Sequence, residues 1–162
     1  MWRAAQSNHT VGYAPNRELQ GAAAAIDAQI EVRTASTIDE LDAAFASLVD
    51  KRADALVVSP DSFFTNRRVQ FTTLAAYHRL PAIYPRREFP EIGGMMSYGA
   101  NIADQLRQAG LYAGRIVKGD KPADLPVMQP TKFEFVINLH TVKTFGLTIP
   151  ETLLATADEV IQ

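Results

Sequence analysis

Three short segments set polar or charged groups beside aromatic ones. They are Ser59-Pro60-Asp61-Ser62 running into Phe63 and Phe64, Pro85-Arg86-Arg87-Glu88 just after Tyr84, and Ser97-Tyr98-Gly99. That mixture suits a small zwitterion: a carboxylate holds the amine, an arginine or backbone N–H groups hold the carboxylate, and an aromatic face takes the apolar part. Pro60, Asp61, Ser62, Phe63, Tyr84, Arg86, Ser97 and Tyr98 are the candidate ligand-binding residues. A plainer use exists for two of them, since Asp61 and Ser62 also suit the N-cap of a following helix. The pairs Arg67-Arg68 and Arg86-Arg87 equally suit a solvated face.

The parts for catalysis are missing. His9, His78 and His140 are far apart and none falls in a metal-ligand pattern. The chain has no cysteine, which removes thiol chemistry and disulfides. It has no nucleophile elbow, phosphate-binding loop or dinucleotide fingerprint. Gly93-Gly94 suits a turn or bulge better than a phosphate cradle. No catalytic residue, cofactor or metal is therefore expected. A formal charge of −2 offers no electrostatic reason to bind nucleic acid. No basic head followed by an apolar run opens the sequence, so no export signal is expected in it.

The elements that would carry these segments alternate. Ile30-Glu31-Val32-Arg33 reads as a strand. Thr37 and Glu40 form a capping box, and Ile38, Leu41, Phe45, Leu48 and Val49 follow at helical spacing. Ala55-Leu56-Val57-Val58 is an apolar run of the kind found in strands covered on both faces. Residues 63–79 read as one helix with Leu74 and Tyr77 inward. Pro81-Ala82-Ile83-Tyr84 reads as a strand, and so does the segment from Gly93 to Gly99. Asn101 can cap a helix whose stripe is Ile102, Leu106, Ala109, Ala113, Ile116 and Val117, ending at Lys118-Gly119. Gly110 and Gly114 within it suggest close packing on another element. Phe133-Glu134-Phe135-Val136-Ile137 reads as a strand, followed by a short helix stopped by Gly146. Pro150 suits the first turn of another. The fold class expected is α/β, a mostly parallel sheet with helices on both faces and right-handed crossovers. In such sheets ligands bind beyond the carboxyl ends of the strands, where the three polar segments fall.

Longer strings carry a resemblance. Ala53-Asp54-Ala55-Leu56-Val57-Val58-Ser59-Pro60-Asp61, then Leu74-Ala75 and Leu80-Pro81-Ala82-Ile83-Tyr84-Pro85-Arg86-Arg87-Glu88, are similar to the ABC-transporter substrate-binding family related to tryptophan-type uptake proteins. So are Gly93 to Gly99, the string from Val117 to Val127, Gln129 to Leu139, and the ending Ala157-Asp158-Glu159-Val160-Ile161. The likeness is dense over residues 31–162, and Glu18-Leu19-Gln20 with the alanines after it resembles the first helix of that half. Before Pro15 it fades: the first sheet strand is expected to be missing, or replaced by Thr10-Val11-Gly12-Tyr13.

The resemblance implies one lobe of a type I periplasmic-binding-protein fold, in which two lobes close on a ligand. Residues 1–162 would be the C-terminal lobe, truncated of its N-terminal partner, with residues 100–119 a helix that packs on the missing lobe. The stripe of that helix would otherwise lie exposed, fold back, or pair with another chain in a homodimer. The resemblance further implies a solute-binding component of an ABC importer, with no catalysis. Its partners would be a small-molecule ligand, prominently an aromatic or branched amino acid, and an ABC permease. The location would be periplasmic, or cytoplasmic as encoded without a signal. By position, Asp61 would take the ligand amine, and Ser97 and Tyr98 would line the cleft. Arg86 and Arg87 would serve either the ligand or lobe closure. Two other readings stand beside this one: a non-binding remnant or split-gene product acting only through a lobe–lobe interface, and a small-molecule enzyme or effector-sensing module on a similar fold.

Overall fold

The computed structural model describes residues 21–162 and the backbone of residues 2–6. Seven strands make one sheet: β1 (Trp2–Gln6), β2 (Ile30–Thr34), β3 (Ala55–Val58), β4 (Ala82–Tyr84), β5 (Met96–Ala100), β6 (Phe133–Asn138) and β7 (Glu159–Ile161). Their order is β2-β1-β3-β4-β5-β6-β7. Every neighbouring pair is parallel except β5 and β6, which are antiparallel with Met96 opposite Ile137 and Ala100 opposite Phe133. The α/β, mostly parallel expectation holds. The 2-1-3-4-5 order of the first five strands is that of a doubly wound sheet, whose crevice opens at the carboxyl ends.

The first strand departs from expectation. Trp2–Gln6 lies between β2 and β3, with Trp2 aligned to Ile30 on one side and Ala55 on the other. Only Trp2 in that segment is a strong strand former. Pairing on both edges overrides a weak local preference, because strand propensity mostly measures fit to neighbours. The alternative at Thr10-Val11-Gly12-Tyr13, and the helix start at Glu18-Leu19-Gln20, lie outside the described residues.

Helix α1 (Ile38–Asp50) starts as its capping signature demands. Thr37 Oγ1 accepts from the Glu40 amide at 3.2 Å. The Glu40 carboxylate reaches past Thr37 to the amide and hydroxyl of Ser36, at 2.7 and 2.9 Å, and these bonds hold its pKa below the ordinary carboxylate value. Leu41, Ala44, Phe45 and Leu48 are buried. Ile38 and Val49, expected inward, are exposed: they border the stripe, and its centre runs through 41, 44, 45 and 48.

The expected helix over 63–79 is two helices, α2 (Ser62–Asn66) and α3 (Arg68–Tyr77), broken at Arg67. The break lets Phe64 and Phe71 enter the core from two axes and meet edge to face at 4.9 Å. Phe71 also meets Phe45 edge to face at 5.7 Å. The inner face of α3 is Phe71, Thr72 and Ala75, with Leu74 half-buried beside it. Tyr77 is 80% exposed, since it is two positions from Ala75 and therefore on the opposite side of the helix.

Beyond β4, Pro90–Ile92 make a single 3-10 turn closed by Gly93 at φ 102°. A Cβ on Gly94 would sit 2.8 Å from the Phe89 carbonyl oxygen and from the Tyr84 ring. The glycine pair thus serves a turn and a close approach, and β5 begins later than its framing glycines suggest. A second core, around Met95, Phe135, Ile137 and Val142, lies under α5 (Leu139–Thr144) and α6 (Glu151–Leu154). Asn138 links it to the turn at Pro90, donating to the Pro90 carbonyl at 2.9 Å and accepting from the Thr141 amide at 3.0 Å.

Between β5 and β6 the chain makes an excursion carrying α4 (Ile102–Val117). Asn101 caps it by accepting from the Asp104 amide at 2.9 Å, and the Asn101 amide donates to the Lys132 carbonyl at 2.9 Å where the excursion returns. Tyr112 ties the returning segment to the helix through its hydroxyl, 2.7 Å from the Pro126 carbonyl. No residue of α4 is buried, and a Cβ on Gly110 or Gly114 would meet nothing within 4 Å. The close packing expected at those two glycines is absent among the described residues.

Candidate ligand-binding site

β3, β4 and β5 run in the same direction, with Val57 level with Ile83 and Ile83 level with Met96. Two residues on, Ser59, Pro85 and Tyr98 therefore share one rim, at the carboxyl ends of the strands. The polar segment at Asp61 follows the first of these ends, the Arg86 segment follows the second, and Tyr98 stands near the third.

Strand periodicity then sorts the candidates by depth. Tyr84 and Ser97 are partners across β4 and β5, so their side chains share a sheet face. Both are sealed, at 2% and 1% exposure. Tyr84 stacks on Phe89 at 4.5 Å, and burial pushes its phenol pKa far up. Neither side chain reaches the rim surface of this chain, where both were expected to meet a ligand. Tyr98 points to the opposite face and is 56% exposed. It stacks on Phe133 at 5.7 Å and meets Phe135 edge to face. Phe133, unmarked in the sequence as a site residue, comes to Tyr98 only through the antiparallel register.

Asp61 does what an N-cap does. Its Oδ1 accepts from the amides of Phe63, at 2.7 Å, and Phe64, at 3.4 Å, while the Thr65 hydroxyl donates to its carbonyl at 2.8 Å. Pro60 and Ser62 are exposed and Phe63 is half-buried. The Arg67 guanidinium lies 3.9 Å over the Phe63 ring, a cation–π contact.

The post-β4 loop carries the densest charge. Arg86 grips Glu88 with two parallel bonds, Nη2 to Oε1 at 2.7 Å and Nε to Oε2 at 3.2 Å. Through that hydrogen bonding the Glu88 carboxyl is held below its ordinary value and the Arg86 guanidinium is pushed above its own. Arg87 reaches Glu91 at 2.7 Å, Glu134 on β6 at 2.6 Å and Glu159 on β7 at 2.6 Å. It clamps the loop to two strands distant in sequence, and its own pKa rises as a result.

A cavity of about 140 Å3 opens where this loop faces the start of α4. Pro85, Arg86, Arg87 and Glu88 line one side, Gly99 to Ala103 the other, and Glu134 closes it. Gly99 makes the approach possible: a Cβ there would lie 1.9 Å from the Pro85 carbonyl oxygen. Glu88, Glu134 and the start of α4 are lining residues that were not singled out as candidates in the sequence. Glu88 adjoins the flagged arginines, so the signal was there to find. Glu134 is 47 residues from Arg87, and no local pattern shows that link.

Known proteins resemble this chain in sequence pattern and in fold. The sequence profile described as ABC transporter substrate binding protein matches residues 12–161. Among solved structures, a conserved domain protein from Vibrio cholerae superposes with a TM-score of 0.88 at 21% identity, covering 98% of this chain and 54% of that one. An ABC domain in complex with L-Trp from Streptococcus pneumoniae gives 0.85 at 24% identity, covering 99% and 56%. The ligand-free, open structure of a substrate binding protein with adhesive properties from Clostridium difficile gives 0.67 at 20% identity, covering 99% and 54%. These likenesses show the fold, and the chain spans about half the length of each of the three structures. A search of curated proteins returns no match.

Proposed function

The chain belongs to the ABC transporter substrate binding protein family, and from that premise we propose that it is the solute-binding component of an ABC importer, in the form of one lobe of a two-lobed clamshell. The family match over residues 12–161 carries this reading. The family is one of substrate-binding proteins, not of enzymes, and we read this chain as non-catalytic.

The ligand is a small molecule, and an amino acid is favoured because one similar structure holds L-Trp. It sits at the rim formed by the Asp61 segment, Arg86 and Tyr98. Small-molecule sites usually enclose roughly 300–1,000 Å3, and the cavity at Arg86 has about 140 Å3. On this chain the ligand is held only in part, and a second lobe supplies the rest of the enclosure. The stripe of α4 and the turn at residues 118–119 pack on that lobe, which accounts for a 16-residue amphipathic helix with nothing buried. Differential affinity for open and closed arrangements then drives closure, and the closed form engages an ABC permease outside the cytoplasm, in the periplasm.

The exposed α4 stripe also favours a second reading, in which the chain works only through its lobe–lobe face and binds no solute. Titration calorimetry of this chain with a panel of aromatic and branched amino acids separates the two. Saturable binding by a subset, with dissociation constants in the millimolar range, is the expected result. No saturable binding by any member removes the solute-binding reading. Micromolar binding removes the half-site reading and leaves the function.

A further inference from the structure

We infer that the polar head of the ligand is read by the Arg86–Glu88 pair and not by Asp61, so the site selects a zwitterion whose carboxylate and ammonium are adjacent, as in a free α-amino acid. This rests on the solute-binding reading above. Asp61 is the carboxylate first expected to hold an amine, and its Oδ1 already accepts two amides in the first turn of α2. Drawing it to a ligand would uncap that helix. Arg87 is committed to three carboxylates and Glu134 to Arg87, so these two fix the loop. Arg86 and Glu88 line the cavity with about a third of each side chain exposed, and their two parallel bonds lie within one loop, two residues apart.

The pair is neutral in sum. A zwitterion entering beside it presents its carboxylate to the guanidinium and its ammonium to the carboxylate, and brings no net charge into the site. A plain carboxylate gains Arg86 but brings no ammonium to meet Glu88, and a plain amine meets the reverse. Discrimination thus comes from the repulsive half of the pair as much as from the attractive half. The cavity has room for a head group but not for a large side chain, so side-chain selectivity lies elsewhere in the clamshell.

The test titrates this chain, followed by amide chemical shifts so that millimolar constants are readable. Two probe sets are used: L-tryptophan, tryptamine and indole-3-propionate; and L-leucine, isoamylamine and 4-methylpentanoate. The proteins are wild type, Arg86→Met, Glu88→Gln and Asp61→Asn, each checked for folding by circular dichroism. For wild type, the bound amino acid is expected to bind at least tenfold more tightly than its amine or its acid. Arg86→Met should erase the preference over the amine, and Glu88→Gln the preference over the acid. Asp61→Asn should keep both preferences and the cap of α2, since asparagine caps a helix about as well as aspartate. Preferences unchanged in Arg86→Met and Glu88→Gln, or lost in Asp61→Asn, overturn the assignment and leave the solute-binding reading standing. If neither amino acid binds wild type, that reading falls and takes the assignment with it.

Discussion

Helices α1 and α4 begin with equally clear caps and carry equally clear apolar stripes, yet they meet opposite fates. Thr37 starts α1 and Asn101 starts α4, each with its side chain accepting an amide three residues on. In α1 the stripe is in the core, with Leu41, Phe45 and Leu48 at 1–2% exposure. In α4 Leu106 is 68% exposed and Val117 88%. Amphipathicity therefore marks a face that needs a partner without saying which partner. For α1 that partner is the sheet of this chain. Among the described residues α4 buries nothing, and the proposed clamshell assigns its face to another lobe.

The largest expected contrast comes from truncating both stripes. Phe45→Ala should cost about 3–5 kcal/mol of unfolding free energy, because it opens a cavity where Phe71 packs edge to face. Leu106→Ala in α4 should cost no more than about 0.5 kcal/mol, as surface changes usually do. Denaturant unfolding measures both, and a Leu106→Ala cost approaching that of Phe45→Ala would mean the α4 stripe is covered in solution by this chain or another copy of it.

Glycines sharpen the same contrast. Gly99→Ala drives a methyl into the Pro85 carbonyl and should destabilise by about 1–3 kcal/mol, as overpacking does. Gly110→Ala faces open space and should stabilise by about 0.5–1 kcal/mol through helix propensity. Thermal melts of the two variants should move in opposite directions; a destabilising Gly110→Ala would reveal a close neighbour on α4.

The smallest effect is that of pH. Glu88 is held below its ordinary carboxylate value chiefly by its hydrogen bond to Arg86, with Arg68 contributing. A depressed folded pKa stabilises above the unfolded value, and that stabilisation is lost as pH falls through the lowered folded value. For a pair this exposed the loss should stay under about 0.5 kcal/mol. Comparing unfolding of wild type and Arg86→Met from neutral pH into the acid range should show the wild-type advantage shrinking below the ordinary carboxylate range; a constant difference would mean that the pair contributes no proton linkage.

Much of the fold was legible because its signals are local. The capping box at Thr37 and Glu40, the apolar run Ala55-Leu56-Val57-Val58, the Asn101 cap and the stop at Gly119 each act within a few residues. The site was legible in outline only. The segment after β4 was readable as charged and the one after β3 as a carboxylate beside aromatics. Depth was not readable: Tyr84 and Ser97 differ from Tyr98 by the side of the sheet they face, and that depends on which helices cover each side. Likewise Asp61 as a cap and Asp61 as a ligand group look the same in sequence, until the amides of Phe63 and Phe64 are found on its oxygen.

The sequence by itself determined the α/β alternation, the capped starts of α1 and α4 and the family, because hydrophobic period, capping chemistry and long ordered strings are properties of neighbouring residues. Tertiary structure alone decided that Trp2–Gln6 is a strand, that Arg87 joins Glu91, Glu134 and Glu159, and that Gly99 admits the Pro85 backbone beside a cavity. Each of these is a contact between segments far apart in the chain. Its energy comes from pairing, charge or close approach across the fold, and no short stretch of sequence contains both halves of it.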